Sequence, residues 1–131
     1  MIFVDANIPM YLIGAEHPNK TLAAAAVERA LAQGRRLVTD AEVLQELLHR
    51  FTAIRRPDAI APCFDVLLGL VDETLPVELA DVQAAKEVVL GGYRVSARDA
   101  VHIAIMRRHD IGTVMSFDRG FDGFPGVMRI G

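Results

Sequence analysis

The chain has 131 residues, of which 52% are hydrophobic, and a formal net charge of −3. That length suits a single domain over residues 1–131. The lone Cys63 excludes an internal disulfide framework and suits a reducing cytoplasm. The mild negative charge argues against gripping nucleic acid by bulk charge, but not against a nuclease whose bound cations bring positive charge into the site. No apolar run reaches membrane-spanning length. The run Ile2–Val4 is broken at once by Asp5, so it is no signal core.

Ile2–Val4 reads as a first buried strand, and Asp5–Gly14 as a turn with a short helix. Thr21–Gln33 is alanine-rich with helical periodicity and stops before Gly34. Arg35–Val38 reads as a second strand. Thr39-Asp40-Ala41-Glu42 matches a capping box, with Thr39 as cap and Glu42 as its partner, opening a helix to about Ala53. Pro57–Asp72 reads as a third long helix with proline in its first turn. Glu73–Val77 is a short strand, and Ala80–Leu90 a helix stopped by Gly91-Gly92. Ser96-Ala97-Arg98-Asp99 matches a second capping box, opening a helix to about His109. Gly112–Ser116 is a fourth strand, Asp118–Gly126 a loop, and Val127–Ile130 a last strand. Strands alternating with helices predict parallel pairing in an α/β sandwich with helices on both faces. Continuous apolar strands predict a sheet buried on both sides.

In an open parallel sheet, ligands bind beyond the carboxyl ends of strands, where the strand order reverses. Asp5 follows the first strand directly, and Asp118 follows the fourth after Phe117. They face each other if those strands are neighbours. Glu46 sits among Val43, Leu44, Leu47 and Leu48, so it either faces out or is paired inside. Asp99 lies in a first helical turn, where the helix dipole favours negative charge. Four gathered carboxylates repel one another. A divalent cation removes that penalty, and hard oxygen donors select Mg²⁺ or Mn²⁺. Such a site suits phosphodiester hydrolysis.

Plainer explanations stand beside this one. Asp5 could cap the next helix, Glu46 could be solvated, Asp99 could serve its capping box, and Asp118 and Asp122 could form turns. Asp122 could also support the metal from outside the ligand set. Glu46-x-x-His49 and Asp99-x-x-His102 have the spacing of di-iron helical bundles, but the intervening strands argue against that fold. His49 and His102 then read as surface or packing residues, His102 close enough to Asp99 to touch the site. Arg35-Arg36, Arg55-Arg56, Arg107-Arg108 and Arg119 are candidate phosphate contacts, or solvated helix-end residues.

The runs Ile2-Phe3-Val4-Asp5-Ala6-Asn7, Val43-Leu44-Gln45-Glu46, Ser96-Ala97-Arg98-Asp99-Ala100-Val101-His102 and Met115-Ser116-Phe117-Asp118-Arg119-Gly120-Phe121-Asp122 together resemble PIN-domain proteins. Over nearly its whole length the chain is similar to VapC-type toxins of toxin–antitoxin pairs. The resemblance implies a PIN-like three-layer α/β/α sandwich with parallel strand order 3-2-1-4-5. It implies a Mg²⁺- or Mn²⁺-dependent endoribonuclease working by in-line attack of a metal-activated water on RNA. Asp5, Asp99 and Asp118 would be ligands, and Glu46 a ligand or water-orienting base. Asn7 and Ser116 would steady them, with Asp122 a further acid. Ala6 and Phe117 stand where Thr or Ser is frequent, and neither change removes a ligand. A homodimer and a cognate antitoxin filling the active-site groove are also implied. Alternatives are a PIN nuclease of RNA processing outside a toxin system, an inactive PIN-fold binding module, and a phosphatase-like hydrolase. The last usually wants an acid at position 7, where Asn stands.

Overall fold

The computed structural model describes all 131 residues. In chain order the elements are β1 (Ile2–Val4), α1 (Asn7–Ile13), α2 (Pro18–Ala32), β2 (Leu37–Asp40), α3 (Ala41–Ala53) and α4 (Ile60–Leu70). Then come β3 (Glu73–Leu75), α5 (Leu79–Leu90), α6 (Ala97–Arg108), β4 (Thr113–Met115) and β5 (Met128–Ile130). Short 3-10 turns cover Pro57–Ala59 and Arg119–Gly123.

The five strands form one sheet in the order β3-β2-β1-β4-β5, and every pairing is parallel. Hydrophobic continuity explains which strands are central. β1, β2 and β4 are buried at every position, whereas β3 and β5 keep partly exposed edges. Right-handed crossovers run β1 to β2 to β3 in one direction, which places α1 to α4 on one face. The return from β3 to β4 places α5 and α6 on the other. The direction reverses between β1 and β4, whose register pairs Val4 with Met115. The Asp5 amide donates to the Met115 carbonyl at 3.1 Å. The neighbourhood of first and fourth strands that the acidic site requires is therefore present.

Most expected elements stand within a few residues of their predicted ends. α2 begins at Pro18, three residues earlier, because the His17 side chain caps it by accepting from the Asn19 amide at 3.0 Å. The helix predicted over Pro57–Asp72 is split into a 3-10 turn and α4, ending at Leu70. The cap of α3 is Asp40, not Thr39. Asp40 Oδ1 accepts from the Val43 amide at 2.9 Å. Thr39 still belongs to β2, and its hydroxyl donates to the Val4 carbonyl across the sheet at 2.9 Å. Glu42, expected as the partner of Thr39, lies 3.5 Å from Arg98 Nε instead. No helix is long and apolar enough to cross a membrane.

One core of buried side chains joins both faces, with Phe3, Ile8, Leu37, Leu47, Leu67, Ile103, Met106 and Phe121 fully enclosed. α6 is buried over most of its circumference. It is pinned to α5 by Arg108, whose Nε and Nη2 donate to Asp81 at 2.7 and 2.9 Å. Asp81 is buried and also accepts the Glu78 amide, closing the capping box of α5. The Arg108→Ala substitution leaves that buried carboxylate with one partner. Because water can reach the vacancy left by the partly exposed Arg108, a partial loss of stability is expected, read as a lower midpoint in urea unfolding.

Candidate metal centre

The site forms where β1 and β4 end. Asp5 is buried at the end of β1, with Oδ1 accepting the Ala6 amide at 2.8 Å and Oδ2 the Ser116 hydroxyl at 2.7 Å. Ser116 Oγ accepts from Asn7 Nδ2 at 3.1 Å and from the Asp118 amide at 2.9 Å. Asn7 Oδ1 accepts the Phe117 amide at 3.2 Å. Asn7 and Ser116 thus lace the two strand ends together and hold Asp5 in one orientation. Ser116→Ala removes a donor to Asp5 and an acceptor for two other groups. Supporting contacts of this kind are typically worth 10- to 100-fold in metal affinity or activity. A loss in that range, in Mn²⁺ affinity measured by titration, is expected.

Asp99 enters from the first turn of α6. Its amide donates to Ser96 Oγ at 3.0 Å, so Ser96 caps the helix as expected. The reciprocal side-chain bond of the capping box is not made. The Asp99 carboxylate instead faces Asp118 and lies in the field of Asp5. Asp118, exposed, caps the turn Arg119–Gly123 by accepting the Gly120 amide at 2.8 Å. A Cβ at residue 120 would stand 3.0 Å from Asp118 Oδ1 and 3.6 Å from Asp99 Oδ2, so glycine there leaves room between the two acids.

Glu46 reaches the site from α3. Its Oε1 lies 3.4 Å from Arg98 Nη1, while Oε2 is buried without a hydrogen-bond partner, 3.7 Å from His102 Nε2. Asp5, Glu46 and His102 each present one ligand atom within 4.8 Å of the others. Asp122 takes another role. It accepts from Arg129 Nε and Nη2 at 2.8 and 3.1 Å, and Arg129 Nη1 also donates to the Ser116 carbonyl at 3.1 Å. That link ties the Asp118 turn to β5.

The electrostatics follow the crowding. Burial raises the Asp5 carboxyl above its usual range and Glu46 adds to the rise, against the opposing pull of His102, Ser116 and the Ala6 amide. Burial, then the charges of Asp5 and Asp118, push Asp99 up to about 7. Burial alone would lower His102. Asp40, which accepts from it, the nearby Glu46 carboxylate and the charge of Asp5 overcome that and raise it. Asp5 and Asp99, raised first by burial and then by neighbouring acids, beside a Glu46 Oε2 left unsatisfied, make an oxygen-rich set that fits a divalent cation of Mg²⁺ or Mn²⁺ type.

A cleft of about 800 Å³ opens beside the acids, with Asp5, Asn7, Glu46 and Asp118 on its floor and Met10, Tyr11, His17, His49, Arg50 and Arg98 along it. Of the basic residues singled out in the sequence, Arg36 pairs with Glu73, Arg56 with Asp58 and Arg108 with Asp81. Arg107 stacks on Phe124 at 4.5 Å. Arg50 and Arg98, which line the cleft, were not singled out. Asp40 was not singled out either. His102, read as a surface or packing residue close enough to Asp99 to touch the site, is fully buried beside Asp5 and Glu46 and hydrogen-bonded to Asp40 at 2.7 Å. Its three-residue spacing from Asp99, which puts both on one helix face, was the available signal.

An all-parallel 3-2-1-4-5 sheet with an acidic cluster at its switch point defines a PIN-type domain. A family model described as PIN domain matches residues 2–127. Ribonuclease VapC13 of Mycobacterium tuberculosis is 58% identical over 130 residues, covering 99% of each chain. The chain belongs to the PIN-domain family and, within it, to the VapC ribonucleases. The crystal structure of Mycobacterium tuberculosis VapC20, described as a sarcin-ricin loop cleaving toxin, aligns with a TM-score of 0.76 at 23% identity, covering 97% of this chain and 98% of that one. A toxin–antitoxin complex from Klebsiella pneumoniae aligns at 0.69 and 16% identity, covering 98% and 96%. At these identities the two structures speak for the fold.

Proposed function

We propose that the chain is a Mg²⁺- or Mn²⁺-dependent endoribonuclease and the toxin of a VapBC-type toxin–antitoxin pair. The observation that carries this reading is the gathering of Asp5, Glu46 and Asp118 on the floor of an open cleft, with Asp99 buried behind them against Asp118 and a buried carboxylate oxygen of Glu46 unsatisfied. The 58% identity to a named ribonuclease supports the substrate class. Asp5, Asp99 and Asp118 would hold the cation, with Glu46 as ligand or base. The cation, when bound, would polarise the phosphodiester and favour deprotonation of water.

The chain's own groups do the rest. Ser116 and the Ala6 amide keep Asp5 aimed into the site. Glu46 Oε2 orients the attacking water and accepts its proton as the water oxygen bonds to phosphorus and one ester P–O bond breaks. Arg50 and Arg98, at the cleft, meet phosphates flanking the cut. A cleft of this size takes about one or two nucleotides at once. A cognate antitoxin would occupy the same cleft, a reading supported by the fold's likeness to the chain in the Klebsiella pneumoniae toxin–antitoxin complex. The protein would act in the cytoplasm, as a homodimer.

Purified chain incubated with a mixed RNA pool is expected to cut with Mg²⁺ or Mn²⁺ and to stop in chelator. Cleavage that persists undiminished in chelator would remove the metal-dependent reading. Transcription of a small neighbouring reading frame whose product blocks the cleavage would support the toxin role, and a lone gene whose expression leaves growth unaffected would count against it.

A further inference from the structure

A chain of buried polar contacts runs beneath the acids. Asp40, at the end of β2, is wholly buried and uses both carboxylate oxygens. Oδ1 caps α3 through the Val43 amide at 2.9 Å, and Oδ2 faces His102 Nδ1 of α6 at 2.7 Å. Because a carboxylate accepts, Nδ1 is the protonated, donating nitrogen of that pair. The other ring nitrogen, Nε2, is buried without a partner and points at Glu46 Oε2, itself without one, 3.7 Å away. Phe3 of β1 packs against the imidazole, with ring centroids 5.2 Å apart.

The placement is more specific than core packing requires. Asp40 stands six residues before Glu46, at the head of the helix that carries it. His102 stands one turn after Asp99, on the helix that carries that acid. The buried hydrogen bond between Asp40 and His102 therefore ties together, beneath the partly exposed Arg98 pairs with Glu42 and Glu46, the two helices that deliver Glu46 and Asp99 to Asp5. An apolar pair would fill the same space without fixing that register. Two fully buried polar side chains in a core this size would be costly unless satisfied by each other.

We propose that His102, held by Asp40, is a positioning residue that sets Glu46 and Asp99 against Asp5. This rests on the reading of those acids as the cation site. Its consequence is that the Nδ1 contact to Asp40 carries the effect, so substitutions that keep a donor at that atom's place preserve function. In His102→Asn the amide nitrogen falls near Nδ1 and reaches Asp40. In His102→Gln the amide falls near Nε2 and does not. In His102→Phe the ring volume remains and both nitrogens are lost.

The test compares the three variants with the wild type in Mn²⁺ affinity by titration, in kcat and KM on RNA, and in thermal melting. His102→Phe is expected to lose about 10- to 100-fold in Mn²⁺ affinity and in kcat, the range for groups that orient ligands, with KM within about 3-fold. His102→Asn is expected to recover most of both, and His102→Gln little of either. Full function in His102→Phe, or recovery in His102→Gln equal to that in His102→Asn, would overturn the proposal. If His102→Phe fails to fold, the comparison of Asn with Gln decides alone. A cation-free readout is independent of activity. The buried Nδ1 proton should give a slowly exchanging downfield resonance that disappears in Asp40→Ala, and its absence from the wild type would also overturn the proposal. Should the wild type bind cation at these acids yet cut no RNA, the nuclease reading would fall while affinity and resonance still judged His102.

Discussion

Asp5→Asn is expected to abolish RNA cleavage, by about 10³-fold or more, while leaving the fold intact. The size follows from removing a preorganised charge at the reacting centre, an effect typically worth 10²- to 10³-fold for one neutral donor and more where a cation ligand is lost. Folding should survive because the asparagine carbonyl can still accept the Ala6 amide that now meets Oδ1. The new amide nitrogen gives up the Ser116 hydrogen bond, because Ser116 Oγ already accepts from Asn7 and Asp118 with both lone pairs, and that local loss is offset by the removal of a buried charge. Burial raises the Asp5 carboxyl above its usual range, which means its charged form is disfavoured in the folded, cation-free protein. Neutralising it should therefore leave the cation-free melting temperature unchanged or raise it. Intact cleavage by a well-folded Asp5→Asn protein would sink the site assignment.

The second large effect is a stability that depends on pH and cation together. Asp99 is raised from 3.8 to about 7 in the folded chain. The native state thus holds this proton more tightly than the unfolded state, and stability falls as pH rises from about 4 through 7. His102 is raised from 6.5. Its contribution is fully present below that value and is lost as pH rises further, in the same direction. In chelator, the protein should therefore melt at a lower temperature at pH 8 than at pH 5.5. Cation should reverse this above pH 7, where the acids are free to bind it. At 100 times its dissociation constant a ligand of the native state adds about 2.7 kcal/mol, which is roughly 10 °C for a domain of this length. The same cation should do little at pH 5, where a proton occupies Asp99. Melting curves at the two pH values, with Mg²⁺ and with chelator, read both effects. A melting temperature in chelator that rises from pH 5.5 to pH 8 would contradict this account of the site.

The central architecture was legible because its physics is local. Ile2-Phe3-Val4, Leu37-Val38 and Thr113-Val114-Met115 are buried on both faces, so each strand shows as a short apolar run. The edge strands were weaker signals because β3 is half solvated. The position of Asp5 directly after β1, and of Ser116 and Asp118 directly after β4, made the acidic site readable once the strand order was supplied by resemblance. What escaped depended on choices among near-equivalent residues or on distant partners. Thr39 and Asp40 both cap helices well. The sheet decided between them, since the Thr39 hydroxyl is taken by the Val4 carbonyl. Glu42 was assigned to a box that Asp40 made unnecessary. The turn at Arg119–Gly123 lay hidden in a glycine- and aspartate-bearing stretch that also reads as irregular loop. The Asp40 partner of His102 was not legible because it lies 62 positions away. A histidine among apolar residues of a helix does not announce which carboxylate it will meet.

The most direct measurement is a titration of Mn²⁺ into cation-free protein, with site occupancy and the rate of RNA cleavage recorded at every point. The account predicts that the rate rises in proportion to occupancy of a site lost in Asp5→Asn. Cleavage at full rate before any cation is bound, or a filled Asp5-dependent site that leaves RNA uncut, would contradict it.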